Sequence, residues 1–222
     1  MQFSDVLAST IHDIKNSLGM VMATLDELTS DPANRFAHPE KVVQLQQEAK
    51  RANNDLIQLL MIYKHENGRL GLNINEHMVE DFLDDILIEN RALLKARGID
   101  LSMACDPDLV GYFDDDLIRG VLNNTIGNAS RYTKSTIHLS ADEEEGYLVL
   151  RVEDDGPGYP SEMLNKQAAN QEHGGFSSGH TKLGLYFSSL VASIHENKGR
   201  KGFILMENNH KLPGGCFSIL LP

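Results

Sequence analysis

The sequence predicts an α+β protein in two parts: an N-terminal helical hairpin that pairs with a second copy as a four-helix bundle, then an α/β sandwich. Three observations lead there. Apolar residues recur at alternating steps of four and three through the first third of the chain. A turn-rich break divides that pattern in two. Beyond Gly71 short β-rich runs alternate with amphipathic ones.

The hairpin comes first. Leu7, Ile11, Ile14, Leu18, Val21, Leu25 and Leu28 form one heptad seam, and Val42, Leu45, Ala49, Ala52, Leu56, Leu59 and Tyr63 form another. Such seams mark coiled-coil-like packing. Between them, residues 30–39 hold Ser, Asp, Asn and two prolines, which is turn chemistry. Helices are therefore expected over about 4–30 and 40–67, each roughly 40 Å long. A lone hairpin leaves much of both seams wet, although a large apolar side chain contributes about 1.5–3 kcal/mol when fully buried. Twofold pairing of hairpins resolves this, so a homodimer through residues 1–68 is expected.

The second part, residues 72–222, mixes strands and helices. Strands are expected near 72–74, 99–104, 136–140, 147–153, 203–207 and 216–220, and helices over 76–97, 114–132 and 182–196. Several strands adjoin by hairpins, which suits a sheet with helices on one face. The Gly/Ser/His/Asn-rich stretch from about 165 to 181 reads as a loop.

Composition narrows the function. The 222 residues suffice for one large domain or two small ones, and the formal charge of −12 excludes a nucleic-acid partner, which needs clustered cations. A nucleotide would have to be held by local dipoles and a metal ion. The two cysteines, Cys105 and Cys216, have no CxxC spacing, so neither a disulfide framework nor a zinc site is expected. No run approaches the roughly 18–20 apolar residues of a membrane helix, and the start lacks a signal peptide's basic and apolar regions. No membrane segment in this chain and a cytoplasmic location are the expectations.

Three segments carry chemistry. In Val152-Glu153-Asp154-Asp155-Gly156-Pro157-Gly158, a strand ends in a carboxylate followed by two glycines. A buried Asp there can accept a hydrogen bond from a ligand amino group, though a plain tight turn reads the same. Asn124 and Asn128 lie four apart on one helix face and could offer neutral oxygens to a hydrated Mg²⁺, with Arg131 one turn on for a phosphate. The bland reading is a polar exposed face. In Gly179-His180-Thr181-Lys182-Leu183-Gly184-Leu185, glycines enter a helix start, where backbone N–H groups suit phosphate oxygens. An ordinary flexible loop would look alike.

Together, in order and spacing, the three segments resemble the asparagine box and the two glycine boxes of the Bergerat-type ATP-binding domain. That domain occurs in histidine kinases, Hsp90 chaperones, type II topoisomerases and mismatch-repair ATPases. The resemblance covers about residues 72–222, and the ending from Gly214 to Pro222 looks like a histidine kinase's last strand. It implies ATP and Mg²⁺ as cofactors, Asn128 as the metal ligand with Asn124 beside it, and Asp154 as the adenine-binding residue. Gly156 and Gly158 would shape the pocket, Tyr132 would flank the nucleotide, and Gly179, Lys182 and Gly184 would face the phosphates. Where the family usually carries a glycine run, this chain has His180 and Lys182. Phe176 is a candidate lid residue.

Ile11-His12-Asp13-Ile14-Lys15-Asn16-Ser17-Leu18 is similar to the phospho-acceptor box of histidine kinases, without the common Arg-Thr-Pro continuation. His12 is expected outside the seam and open to solvent, as the nucleophile. Asp13 would orient its ring or take its proton, and Asn16 would position a hydrolytic water. The other eight histidines read as ordinary solvated or core residues. The resemblance implies autophosphorylation at His12, transfer to an aspartate of a response regulator receiver domain, and a hinge near Gly68–Gly71. The alternative is a relay protein that keeps His12 but no longer uses ATP, with phosphatase action through Asn16 as a variant. A chaperone- or topoisomerase-branch ATPase would need further domains.

Overall fold

The computed structural model describes residues 3–31, 34, 36–164 and 180–222, and within these all side chains except those of 3–9, 12, 40 and 180–182. The chain divides into two compact units, Met1–Gly71 and Leu72–Pro222.

The first unit is a hairpin of α1 (Phe3–Ser30) and α2 (Pro39–Glu66). Pro39 opens α2 at a position where its missing N–H is no loss. At the other end Gly68 takes φ +64°, and the N–H groups of Gly68 and Arg69 return to the carbonyls of His65 and Lys64. This left-handed exit is a common helix stop. Between the helices Gln46 Nε2 donates to Asp26 Oδ1 at 2.9 Å. Ile11, Ala49, Gln58 and Ile62 are buried, whereas Ile14, Val21, Leu28, Leu45 and Leu59 of the seams remain exposed.

In the second unit β1 (Asn75–Met78), α3 (Val79–Ala96), β2 (Asp100–Ala104), β3 (Val110–Phe113) and α4 (Asp115–Tyr132) lead into the hairpin of β4 (Thr136–Glu144) and β5 (Tyr147–Asp154). After residues 165–179 come α5 (His180–Ile194), a small hairpin of β6 (Glu196–Asn197) and β7 (Arg200–Lys201), then β8 (Phe203–Asn208) and β9 (Gly215–Leu221). The main sheet has the order β2-β4-β5-β9-β8, with β2 parallel to β4 and the other neighbours antiparallel. Two-residue turns with positive φ, Glu145-Gly146 and Lys198-Gly199, close the β4–β5 and β6–β7 hairpins. Their twist suits a tight hairpin connection.

One face of the sheet is apolar. Leu139, Leu150, Val152, Phe217 and Ile219 are buried there. The apolar stripes of the three helices bury Phe82, Leu83 and Ile86 from α3, Ile118, Leu122 and Ile126 from α4, and Phe187 and Val191 from α5. This is the α/β sandwich expected from the alternating pattern. The opposite face is mixed: strand alternation places Ser140, Arg151, Glu153, Cys216 and Ser218 on it beside Val149, Leu205 and Leu220. Arg151, only 6% exposed, pairs there with Asp142 at 3.1 Å and Glu144 at 2.6 Å.

Some elements differ from expectation. The strand expected over 72–74 lies at Asn75–Met78, because it pairs with β3 from Asn75↔Phe113 to Met78↔Val110. His77 then stacks on Phe113 at 4.6 Å, and α3 starts later than expected, at Val79. The partner strand β3 was not foreseen, nor was the β6–β7 hairpin. The expected loop over 165–181 lies almost wholly outside the described residues, and α5 already includes His180. Among the described residues no helix is long and apolar enough to cross a membrane.

Candidate nucleotide site

The site grows from the end of β5. Alternation turns Asp154 toward the apolar face, in register with Ile137. It is 8% exposed, its Oδ1 accepts from Gly156 N at 2.7 Å, and its main-chain oxygen accepts from Gly214 N at 3.0 Å. Burial raises its pKa above the ordinary carboxylate value; N–H groups of Gly156 and Gly215 pull it back in part, and the Asp155 charge raises it further.

Glycines wall this carboxylate. A methyl group added at Gly214 would lie 2.4 Å from both Asp154 Oδ1 and its main-chain oxygen, and one at Gly156 2.7 Å from Oδ1 and 2.5 Å from the Tyr132 carbonyl. At Gly215 it would meet Asp154 Oδ2 at 3.1 Å and the Tyr159 ring at 2.9 Å. The backbone approaches Asp154 from three directions where any side chain would clash. Gly158, with φ +78°, rests against Asn208, whose amide clamps Tyr159 by accepting from its N–H at 2.7 Å and donating to its carbonyl at 2.9 Å. Tyr159 is thereby held beside the carboxylate, and burial with the Asp154 charge raises the phenol's pKa.

Asp155 points the other way and fixes the end of α4 to the end of β5. Its carboxylate accepts from the hydroxyls of Thr133 and Ser135 and from the N–H groups of Lys134, Ser135 and Thr136. Against a burial penalty, these donors hold its pKa well below the ordinary value.

Asn124 and Asn128 share a half-buried face of α4. A methyl group at Gly184 of α5 would lie 2.4 Å from Asn124 Nδ2, so this glycine lets the two helices approach. The N-terminus of α4 is fixed by Asp114, which accepts from Leu117 N at 3.1 Å and Asn73 N at 2.8 Å. His195, just after α5, accepts from Asp114 N at 3.1 Å through Nε2, its Nδ1 bonding the Val191 carbonyl. Burial lowers its pKa, although the Val191 carbonyl and Asp114 pull upward.

The structure thus brings Asp154, Gly156 and the carbonyl of Tyr132 into one place, and sets Gly184 against Asn124. Arg131 and the Tyr132 ring are exposed on the last turn of α4. Gly179 and Phe176 lie outside the described residues, as do the side chains of His12 and Lys182. Asp13 and Asn16 are exposed on α1. Tyr159, Asn208, Gly214 and Gly215 were given no role by the sequence reading; the Gly214-Gly215 doublet was their one visible signal.

The donors suit the implied groups. A carboxylate buried at a strand end fits an amino-bearing base. Neutral amide oxygens on one helix face fit a cation that keeps several waters.

Residues 113–222 match the family described as Histidine kinase-, DNA gyrase B-, and HSP90-like ATPase. Sensor protein SrrB of Staphylococcus aureus (strain N315) is 25% identical over 204 residues, covering 86% of this chain and 34% of that protein. The chain therefore spans about a third of the length of the curated relatives it matches. Among solved structures, Acinetobacter baumannii histidine kinase AdeS superposes with a TM-score of 0.59 at 18% identity, covering 95% of this chain and 96% of that one. Full-length ShkA in complex with AMPPNP gives 0.65 at 20% identity, covering 98% of this chain and 45% of that one. The catalytic domain of histidine kinase ThkA gives 0.56 at 21%, covering 68% and 97%. The chain is thus similar, over residues 113–222, to the family of Histidine kinase-, DNA gyrase B-, and HSP90-like ATPases, and over most of its length to a sensor protein and to the folds of histidine kinases.

Proposed function

We propose that this chain is an ATP-dependent protein-histidine kinase that phosphorylates its own His12 and passes the group to an aspartate of a response regulator. The observation that carries the reading is the glycine-walled Asp154, set against the Tyr132 carbonyl at the end of the helix that bears the paired asparagines. Asp154 would accept from the adenine amino group, with Gly156, Gly158, Gly214 and Gly215 keeping side chains out of the base's place. Asn128 would hold Mg²⁺, assisted by Asn124, and the cation when bound would offset phosphate charge. Arg131, Lys182 and the backbone near Gly179 and Gly184 would face the phosphates, and Tyr132 would flank the nucleotide.

In the transfer a ring nitrogen of His12 forms a bond to the γ-phosphorus while the bond to the ADP oxygen breaks. The imidazole proton passes to Asp13 or to water. The receiver aspartate then takes the phosphoryl group, and Asn16 would orient water for its later hydrolysis. Residues 1–68 would form the homodimer, because single hairpins leave Leu45 at 55% and Val21 at 47% exposure. The cytoplasm, where ATP and receiver domains meet, is the proposed location.

The test is incubation with γ-labelled ATP and Mg²⁺ beside His12→Ala and Asn128→Ala. Acid-labile, base-stable label on the parent alone supports the proposal. No label and no nucleotide binding would instead favour the relay reading, with His12 charged by a partner.

A further inference from the structure

Behind Asp154, on the opposite face of the sheet, lies a second cluster of polar side chains. Glu153 of β5 is the register partner of Cys216 on β9, and Cys216 is the partner of Glu207 on β8. Direct partners share a face, so the three side chains form one row across three strands. Glu153 is 0% and Cys216 1% exposed. The β8–β9 connection folds over the row: His210 Nδ1 lies 2.6 Å from Glu153 Oε1, and Lys211 N donates to the same oxygen at 2.9 Å. Glu153 Oε2, equally buried, has no hydrogen-bond partner among the described residues. Donor atoms of Glu153, His210 and Cys216 all lie within 4.8 Å of one another.

A buried carboxylate oxygen without a partner is expensive, and native structures seldom keep one unless something completes it. The His210 pair accounts for Oε1 alone. It leaves a free oxygen and a thiol in the same small space.

We propose that Glu153, His210 and Cys216 form a binding site for a zinc-type divalent cation, with Glu207 or a water as fourth ligand. The donor set selects the metal class. Thiolate with imidazole and carboxylate suits zinc or its first-row neighbours, whereas Mg²⁺ and Ca²⁺ favour all-oxygen shells. Bond lengths of about 2.0–2.3 Å place tetrahedral ligand atoms about 3.3–3.8 Å apart. Separations of up to 4.8 Å therefore have to close by about 1 Å while His210 gives up its 2.6 Å contact with Glu153 Oε1, movements that His210, on a connection rather than in a strand, can supply. Binding replaces the Cys216 S–H bond with a sulfur–metal bond and releases that proton to solvent. The role is structural: the ion would join β5, β9 and the β8–β9 connection directly behind the base-binding carboxylate.

The whole chain, stripped with a chelator, is titrated with ZnCl₂ by equilibrium dialysis and separately with Co²⁺ under reducing conditions. The expected result is one tight equivalent of zinc per chain and a cobalt spectrum with thiolate charge-transfer and tetrahedral ligand-field bands. Cys105→Ser should keep both signals. His210→Ala, on a partly exposed connection, and the near-isosteric Cys216→Ser should each weaken zinc binding beyond the roughly 100-fold that losing an outer-shell partner can cost. No stoichiometric zinc, no thiolate band on the parent, or binding unchanged in both variants would overturn the site. The cobalt spectrum of the parent needs no variant to fold, and none of these readouts depends on kinase activity.

Discussion

The hairpin and the sandwich solve the same burial problem in opposite ways. In the sandwich, Phe113, Phe187, Phe217 and Ile126 are within 2% of complete burial, enclosed by the sheet and three helices of one chain. In the hairpin, the seam residues Ile14, Leu45 and Leu59 are 47%, 55% and 44% exposed although their heptads are regular. Period alone therefore says which side chains want cover; chain topology decides whether one molecule can provide it. The glycines show the same division. A methyl at Gly19 of α1 would meet nothing within 4 Å among the described residues, whereas one at Gly214 would strike Asp154 at 2.4 Å.

The largest effect that would sharpen this comparison is on stability. Phe217→Ala should destabilise the sandwich by about 3–5 kcal/mol, by the same amount at every protein concentration. Leu45→Lys combined with Leu59→Lys should leave the sandwich's denaturant midpoint unchanged and convert dimer to monomer in sedimentation velocity. If the double variant stays dimeric, the seam is not the interface.

A second comparison sets the glycines against each other. Gly214→Ala forces β9 away from Asp154 and should destabilise by about 1–3 kcal/mol, with lost affinity for a fluorescent ATP analogue. Gly19→Ala should stabilise the hairpin by up to about 1 kcal/mol through helix propensity. Equal effects in thermal melts would mean that the wall around Asp154 gives way freely.

The smallest effect is a pH dependence confined to the sandwich. His195 has its pKa depressed in the fold by burial, so the unfolded chain binds the proton more readily. Stability should be fully present above the ordinary value of 6.5, fall as pH drops below it, and level off below the depressed folded value. Denaturant midpoints of the parent and His195→Gln across this range should diverge in slope, the variant being flatter. Parallel slopes would assign the dependence to another group.

What the sequence discloses follows the range of the interactions. The heptads, the Asp154-Gly156-Gly158 run and the α4 asparagines are local, and contiguous residues display them. The sheet's longer strands were legible for the same reason. β3 is four residues with a glycine inside, and β6 and β7 are two residues each, too short for alternation to register. Gly214 reaches Asp154, and Asn208 reaches Tyr159, through strand pairing and a connection, which no spacing rule anticipates. The cysteines have no CxxC spacing, so neither a disulfide framework nor a zinc site was expected of them. The cluster around Cys216 instead comes from residues up to 63 positions apart, Glu153 to Cys216, brought together by register.

The wall around Asp154 also bears on how such a protein changes over evolutionary time. On the proposed reading, its pocket is maintained by missing atoms rather than by added ones. A single methyl at Gly214 or Gly156 would collide with Asp154 itself and push the carboxylate from its place. The route from an ATP-driven donor to a passive phosphate carrier is then one point mutation long. A designer who wants the carrier alone could follow the same route, leaving His12 and its helix untouched.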